Sequence, residues 1–138
     1  MTTANEAFLA CKARLDGAAL GYPVIYDNVT DMPLPDSPSV FARAEFVTDP
    51  GRILAYGGGR GGNTYRNFAL FVVHVLVKRG TGLSAALTRA ETVAALFRSY
   101  RTSQVSFREA WVESGRAAAD GNYYVASAVC EFWFDQIG

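Results

Sequence analysis

The segment from Gly57 to Gly62 holds five glycines around Arg60, and Gly57, Gly59 and Gly62 match the Gly-x-Gly-x-x-Gly spacing that cradles dinucleotide phosphates. That chemistry needs a strand before the glycines and a helix after them, so that free helix N–H groups point at the anion. Here Thr64 to Val77 follows, dense in β-branched and aromatic residues that suit a strand. No Gly-Lys-Ser/Thr triplet is present, so a Walker-type loop is excluded. The run reads as a mobile hairpin loop with no cofactor role.

Other reactive types are sparse. His74, the single histidine, lies within an apolar strand with no acid or nucleophile close in sequence, and reads as a hydrogen-bonded core or interface residue. Glu109 and Glu113 share one side of a strand with Trp111, as a carboxylate pair in a cleft or as a solvated face. Arg52, Arg60, Arg66, Lys78 and Arg79 give the middle of the chain a positive bias, suited to a phosphate backbone or an acidic protein surface, or simply solvated. Cys11 and Cys130 are far apart with no CxxC, so no zinc site is expected; they read as free thiols in a reducing compartment. No catalytic, cofactor or metal residue is assigned, and the chain reads as a non-enzyme.

Elements that would position these residues follow from punctuation and periodicity. A capping box at Thr3 and Glu6 opens a helix whose apolar face carries Phe8, Cys11 and Leu15, ending between Gly17 and Gly21. Strands are expected at Pro23–Tyr26, Val40–Val47 and Arg52–Tyr56, separated by a proline loop at Thr30–Ser39 and a turn at Asp49–Gly51. After the long strand, Leu83 to Phe97 forms a helix with Thr88 and Glu91 outward. Ser103–Glu113 and Asn122–Gln136 form a hairpin across a loop from Gly115 to Gly121. The order predicts a single α+β domain over 1–138, an antiparallel sheet of about four to five strands with two helices on one face. Trp111, Phe132 and Phe134 are expected to be buried, in the fold or between subunits.

With 138 residues, half of them hydrophobic, the chain is long enough for one core. Thirteen basic against thirteen acidic residues give no net charge, which argues against a general nucleic-acid or anionic-membrane binder. No signal peptide is expected at the N-terminus, and no apolar run has the length of a membrane span.

One pattern goes further. The Phe68–Val77 strand is apolar on both faces, with Phe68, Leu70, Val72, His74 and Leu76 on one and Ala69, Phe71, Val73, Val75 and Val77 on the other. Two helices cover only one face, so the other is expected to meet a second subunit, or else to lie beneath long loops. The candidate interface residues are Gly57, Gly58, Gly59, Arg60, Gly61, Gly62, Tyr65, Arg66, Phe71, Val73 and Val75.

The segments FLACKARLDGAALGYPVIYDN, PLPDSPSVFARAEF, YRNFALFVVHVLVKRGTGLSAALTRAETVAALF and GNYYVASAVCEFWF, in this order around the glycine run, resemble the small tail terminator proteins of long-tailed bacteriophages. The resemblance spans nearly the whole chain through loose patterns: a helix into Tyr22-Pro23-Val24, a proline loop into Val40–Phe46, and Lys78-Arg79-Gly80-Thr81-Gly82 into an alanine-rich helix. The glycine run is longer and Phe68–Leu76 more apolar than that pattern. The resemblance implies a virion protein at the tail–neck junction, assembled in the host cytoplasm: a homohexameric ring that caps the tail tube and docks the neck. Its implied partners are other copies of itself, the tube protein, the connector and genome DNA passing through the lumen, with Arg60 and Arg66 as lumen candidates and no membrane. Another neck ring or adaptor, and more remotely a small ligand-binding module or enzyme using His74, Glu109 and Trp111, are the alternatives. A deep polar pocket joining those three residues would favour the last.

Overall fold

A computed structural model describes residues 2–26, 39–49, 52–55, 58–117 and 121–138. Two helices and six strands follow the order α1 (Ala4–Gly17), β1 (Val24–Tyr26), β2 (Val40–Thr48), β3 (Arg52–Ala55), β4 (Thr64–Lys78), α2 (Leu83–Phe97), β5 (Ser106–Ala117) and β6 (Tyr123–Ile137). The proline loop and most of the Asp49–Gly51 turn lie outside the described residues.

Helix α1 starts where the capping box places it. Thr3 Oγ1 accepts from the Glu6 amide at 3.2 Å, and Glu6 Oε2 accepts from the Thr3 amide at 3.1 Å. Two of the helix's orphan donors are thereby satisfied. Its buried stripe is Ala7, Cys11 and Leu15, one residue per turn. Helix α2 has no side-chain cap; Gly82, at φ 102°, delivers the chain from the β4 turn in a conformation that favours glycine. Its buried face is Ala86, Ala90, Val93, Ala94 and Phe97; the three alanines let the helix lie close on the sheet, and Phe97 fills the space at its C-terminal end.

The sheet runs β1-β2-β4-β6-β5, with β3 also paired to β4. The α+β class and the helices on one face agree with the expectation. The sheet is mixed rather than wholly antiparallel, because β1 pairs parallel to β2. A parallel pair needs a long connection, and residues 27–39 separate β1 from β2. β2 and β3 act as one interrupted partner of β4: β2 covers Ala69 to Val77, β3 covers Thr64 to Arg66, and the Asp49 amide still donates to the Phe68 carbonyl at 2.9 Å between them. β6 pairs β4 from Thr64 to Lys78 without a slip. β5 extends to Ala117, so Gly115–Ala117, read as loop from sequence, belongs to a strand with two register shifts.

Burial on β4 alternates residue by residue, with Ala69, Phe71, Val73, Val75 and Val77 beneath the helices. This corrects the assignment of Phe71, Val73 and Val75 to an intersubunit surface: each is fully buried inside the subunit. Both faces of β4 are equally apolar, so sequence alone could not say which one the helices take. Aromatic rings tie the layers together: Phe97 of α2 meets Phe71 at 5.4 Å and Phe107 at 4.8 Å, and Phe107 meets Phe132 at 4.7 Å. Phe132 and Phe134 are buried as expected, whereas Trp111 lies on the open face at 39% exposure. Truncating Phe132 to Ala should therefore cost about 3–5 kcal/mol in urea unfolding. Trp111→Ala should cost less than about 1 kcal/mol in the isolated subunit.

Candidate interaction face

The sheet face away from the helices carries Phe41, Arg43, Glu45 and Val47 of β2, Phe68, Leu70, Val72, His74 and Leu76 of β4, and Ser127, Val129, Glu131 and Trp133 of β6. Register aligns them in lateral rows. One row is polar, running Arg43, His74, Ser127 and Glu113 across four strands. His74 Nδ1 lies 2.7 Å from Ser127 Oγ, and Nε2 lies 3.4 Å from Glu45 Oε2. Glu45 also accepts from Arg43. Desolvation raises the Glu45 pKa, but the bonds from Arg43 and His74 outweigh it and hold the carboxyl below its ordinary value.

A serine, a histidine and a carboxylate in line evoke a nucleophilic relay, but catalysis there would also need oxyanion donors and a cleft. Ser127 sits mid-strand, flanked by His74 and Glu113, with its backbone spent in the ladder. The clefts between α1 and α2, below β1, along α2 and beside Trp133 include none of His74, Glu109 and Trp111. His74 and Trp111 share a face but stand on β4 and β5, with β6 between them. Arg43, Glu45, His74 and Ser127 form a hydrogen-bonded polar seam in an apolar surface, a role that sequence missed because Ser127 and Glu45 meet His74 only through strand pairing.

At one end of this face, Arg66 donates from Nε and Nη2 to the two Asp135 carboxylate oxygens at 2.8 and 2.9 Å. Arg66 thus holds the Asp135 carboxyl below its usual range. Its guanidinium also sits 5.1 Å from the Trp133 ring, where Arg101 at 5.8 Å and Arg108 at 5.6 Å join it. Arg66 is therefore spoken for within the subunit. Tyr65 is half-buried beside Gly138, and Arg60 is exposed on the loop.

The described part of the glycine loop, Gly58 to Gly62, is a closed turn. The amides of Gly62 and Asn63 both donate to the Gly59 carbonyl, at 3.0 and 3.2 Å. A Cβ on Gly58 would meet Gly62 Cα at 2.5 Å, so the two ends of the turn touch through bare backbone. Gly57 lies outside the described residues. The loop precedes a strand, so it offers no helix N-terminus to a phosphate. Both cysteines are buried; desolvation raises the Cys130 thiol to about 12 and the Cys11 thiol further, which leaves neither reactive at neutral pH. Among the described residues no cluster of three metal-ligating side chains occurs, and no helix is long and apolar enough to cross a membrane.

No protein-family model and no curated protein matches the chain. Seven chains of solved structures do. One, whose designation carries no functional description, superposes with a TM-score of 0.63 at 20% identity, covering 95% of this chain and 94% of its own. That likeness supports the fold over the whole length.

The Arg66–Asp135 pair makes a prediction about pH. Asp135 has a lower pKa folded than unfolded, so between the two values the unfolded chain binds more protons. The pair's stabilisation is complete above the unfolded value of about 4 and is lost as pH falls through the folded one. Melting temperature should fall on acidification below about pH 4, and Asp135→Asn should make that fall shallower while lowering stability at neutral pH.

Proposed function

We propose that this chain is the tail terminator subunit of a long-tailed bacteriophage, closing into a ring, most simply a hexamer, on the head-proximal end of the tail tube. The observation that carries the reading is an apolar sheet face that the described residues leave partly exposed. Phe68, Leu70, Val72 and Leu76 are only partly buried by their neighbours, and Val47 and Trp111 are open at 45% and 39% exposure. An antiparallel sheet that ended in solvent would carry polar residues there; a face this apolar suits a partner.

A closed ring of identical subunits needs two different complementary patches. The open sheet face is one. A second candidate is the outer side of α2, where Leu83, Leu87, Thr88, Glu91 and Ala95 line a shallow depression. The order of sequence landmarks adds support. In this reading the function is assembly: the ring stops tube growth, presents a docking surface to the neck, and lets DNA pass. The tube protein and the connector are its partners, and the tail–neck junction of the virion is its place.

Two experiments test it. Leu70→Glu puts a charge on the open face without touching the core, so the folded subunit should persist while rings on tail tubes disappear from electron micrographs. Rings that form normally would remove the sheet face from the assembly. Deleting Gly58 to Gly61 shortens a turn remote from the core, and should leave the fold intact while giving overlong or headless tails. Tails of normal length on infectious particles would reduce the loop to a connection.

A further inference from the structure

The three arginines on Trp133 are placed by the sheet itself. Trp133 is opposite Phe68 on one side and Ser106 on the other, and Arg101 pairs with Ser106 in an isolated bridge. Arg66 flanks the same ring from β4, and Arg108 from the first register shift of β5. Cation–π pairs occur about once per 70–80 residues, so three on one indole is a local concentration. The charge is compensated only at Arg66, where Asp135 accepts from two of the five guanidinium N–H groups; Arg101 and Arg108, both exposed, make no ion pair or side-chain hydrogen bond among the described residues. Holding like charges together costs free energy that a polyanion offsets.

We infer that this cluster is a binding site for the phosphodiester backbone of nucleic acid. A guanidinium lying on an aromatic ring keeps its in-plane N–H groups free, and these match phosphate oxygens in a fork. Beside Trp133 opens a cleft of about 150 Å³ lined by Thr102, Ser103, Gln104, Ser106 and Asp135. Its hydroxyl and amide groups are the neutral donors that accompany arginine at sugar and phosphate contacts, and the one anion in its lining, Asp135, is already neutralised by Arg66. The Thr102 hydroxyl accepts from the amides of Gln104 and Val105 at 3.0 and 3.1 Å, which fixes the loop that carries Arg101. An acidic peptide presents separate carboxylates on flexible side chains, whereas guanidinium groups gathered around one ring match the closely repeated phosphates of a backbone. Overall neutrality is no obstacle, because the positive charge is gathered at one end of the face. Backbone contacts without base readout bind every sequence alike and let DNA slide. The site belongs to the single subunit and does not depend on ring closure.

The test is binding of a labelled random-sequence DNA duplex to the Trp111→Phe protein, which leaves Trp133 as the fluorescent reporter. Saturable quenching of Trp133 and an affinity that falls linearly with log salt are expected. The double variant Arg101→Gln/Arg108→Gln should lose on the order of tenfold in affinity at low salt and about two units of the salt slope. Arg101→Lys/Arg108→Lys should keep the slope, and unchanged melting curves would show that both variants fold. An unchanged slope in the glutamine variant, no binding at low salt, or equal or tighter binding of polyglutamate would each overturn the site. Ring formation is read separately by particle imaging, so either conclusion can fail without the other.

Discussion

The pairing of β4 with β6 over the whole length of both strands is the constraint on which the rest of the subunit depends. It is unbroken where every neighbouring pairing is interrupted: β2 gives way to β3 along the other edge of β4, and β5 slips twice against β6. Because the register is intact, the side-chain period of two holds across the sheet centre, and inner and outer residues separate cleanly. The helices then need only present small and aromatic side chains to one face. The hydrogen-bonded polar row and the Arg66–Asp135 fork are consequences of the same register, since both join residues opposite each other on paired strands.

That register also makes the two faces unlike in kind. The inner one is a core, sealed by α1, α2 and the column of phenylalanine rings. The outer one is a composite, apolar over most of its area, threaded by one hydrogen-bonded polar row and bounded by arginines around Trp133. On the ring reading, apolar area would supply the attraction, while the polar row, once covered by a partner, would penalise any docking that leaves its groups unpaired. The ring reading and the phosphate reading place different partners on different parts of it.

Much of this was legible in the sequence, and the limits were physical. The Thr3/Glu6 capping box, the period of Leu83–Phe97 and the two-faced character of Phe68–Val77 are local patterns, and the elements appear where those patterns put them. What could not be read was anything that local pattern leaves degenerate. Phe71 and Leu70 are interchangeable by hydropathy, so the choice of inner face waited on the helices. The parallel β1 edge depends on pairing between segments separated by residues 27–39, and the Trp133 cluster on residues that meet only after β4, β5 and β6 align. The glycine run was legible as a break; the backbone contact between Gly58 and Gly62 that demands glycine at both positions was not.

The same long pairing has a consequence for how the chain reaches its native state. Thr64 finds Ile137 across about half the chain, with α2 and β5 made in between. Contacts of such separation close late, because loop entropy is spent before they reward it. Until β6 arrives, β4 is a β-branched, apolar segment exposed on both faces with one ladder edge open, the profile of a segment prone to wrong pairing. Yield of folded protein should thus be governed less by the final stability of the domain than by how long β4 waits for β6.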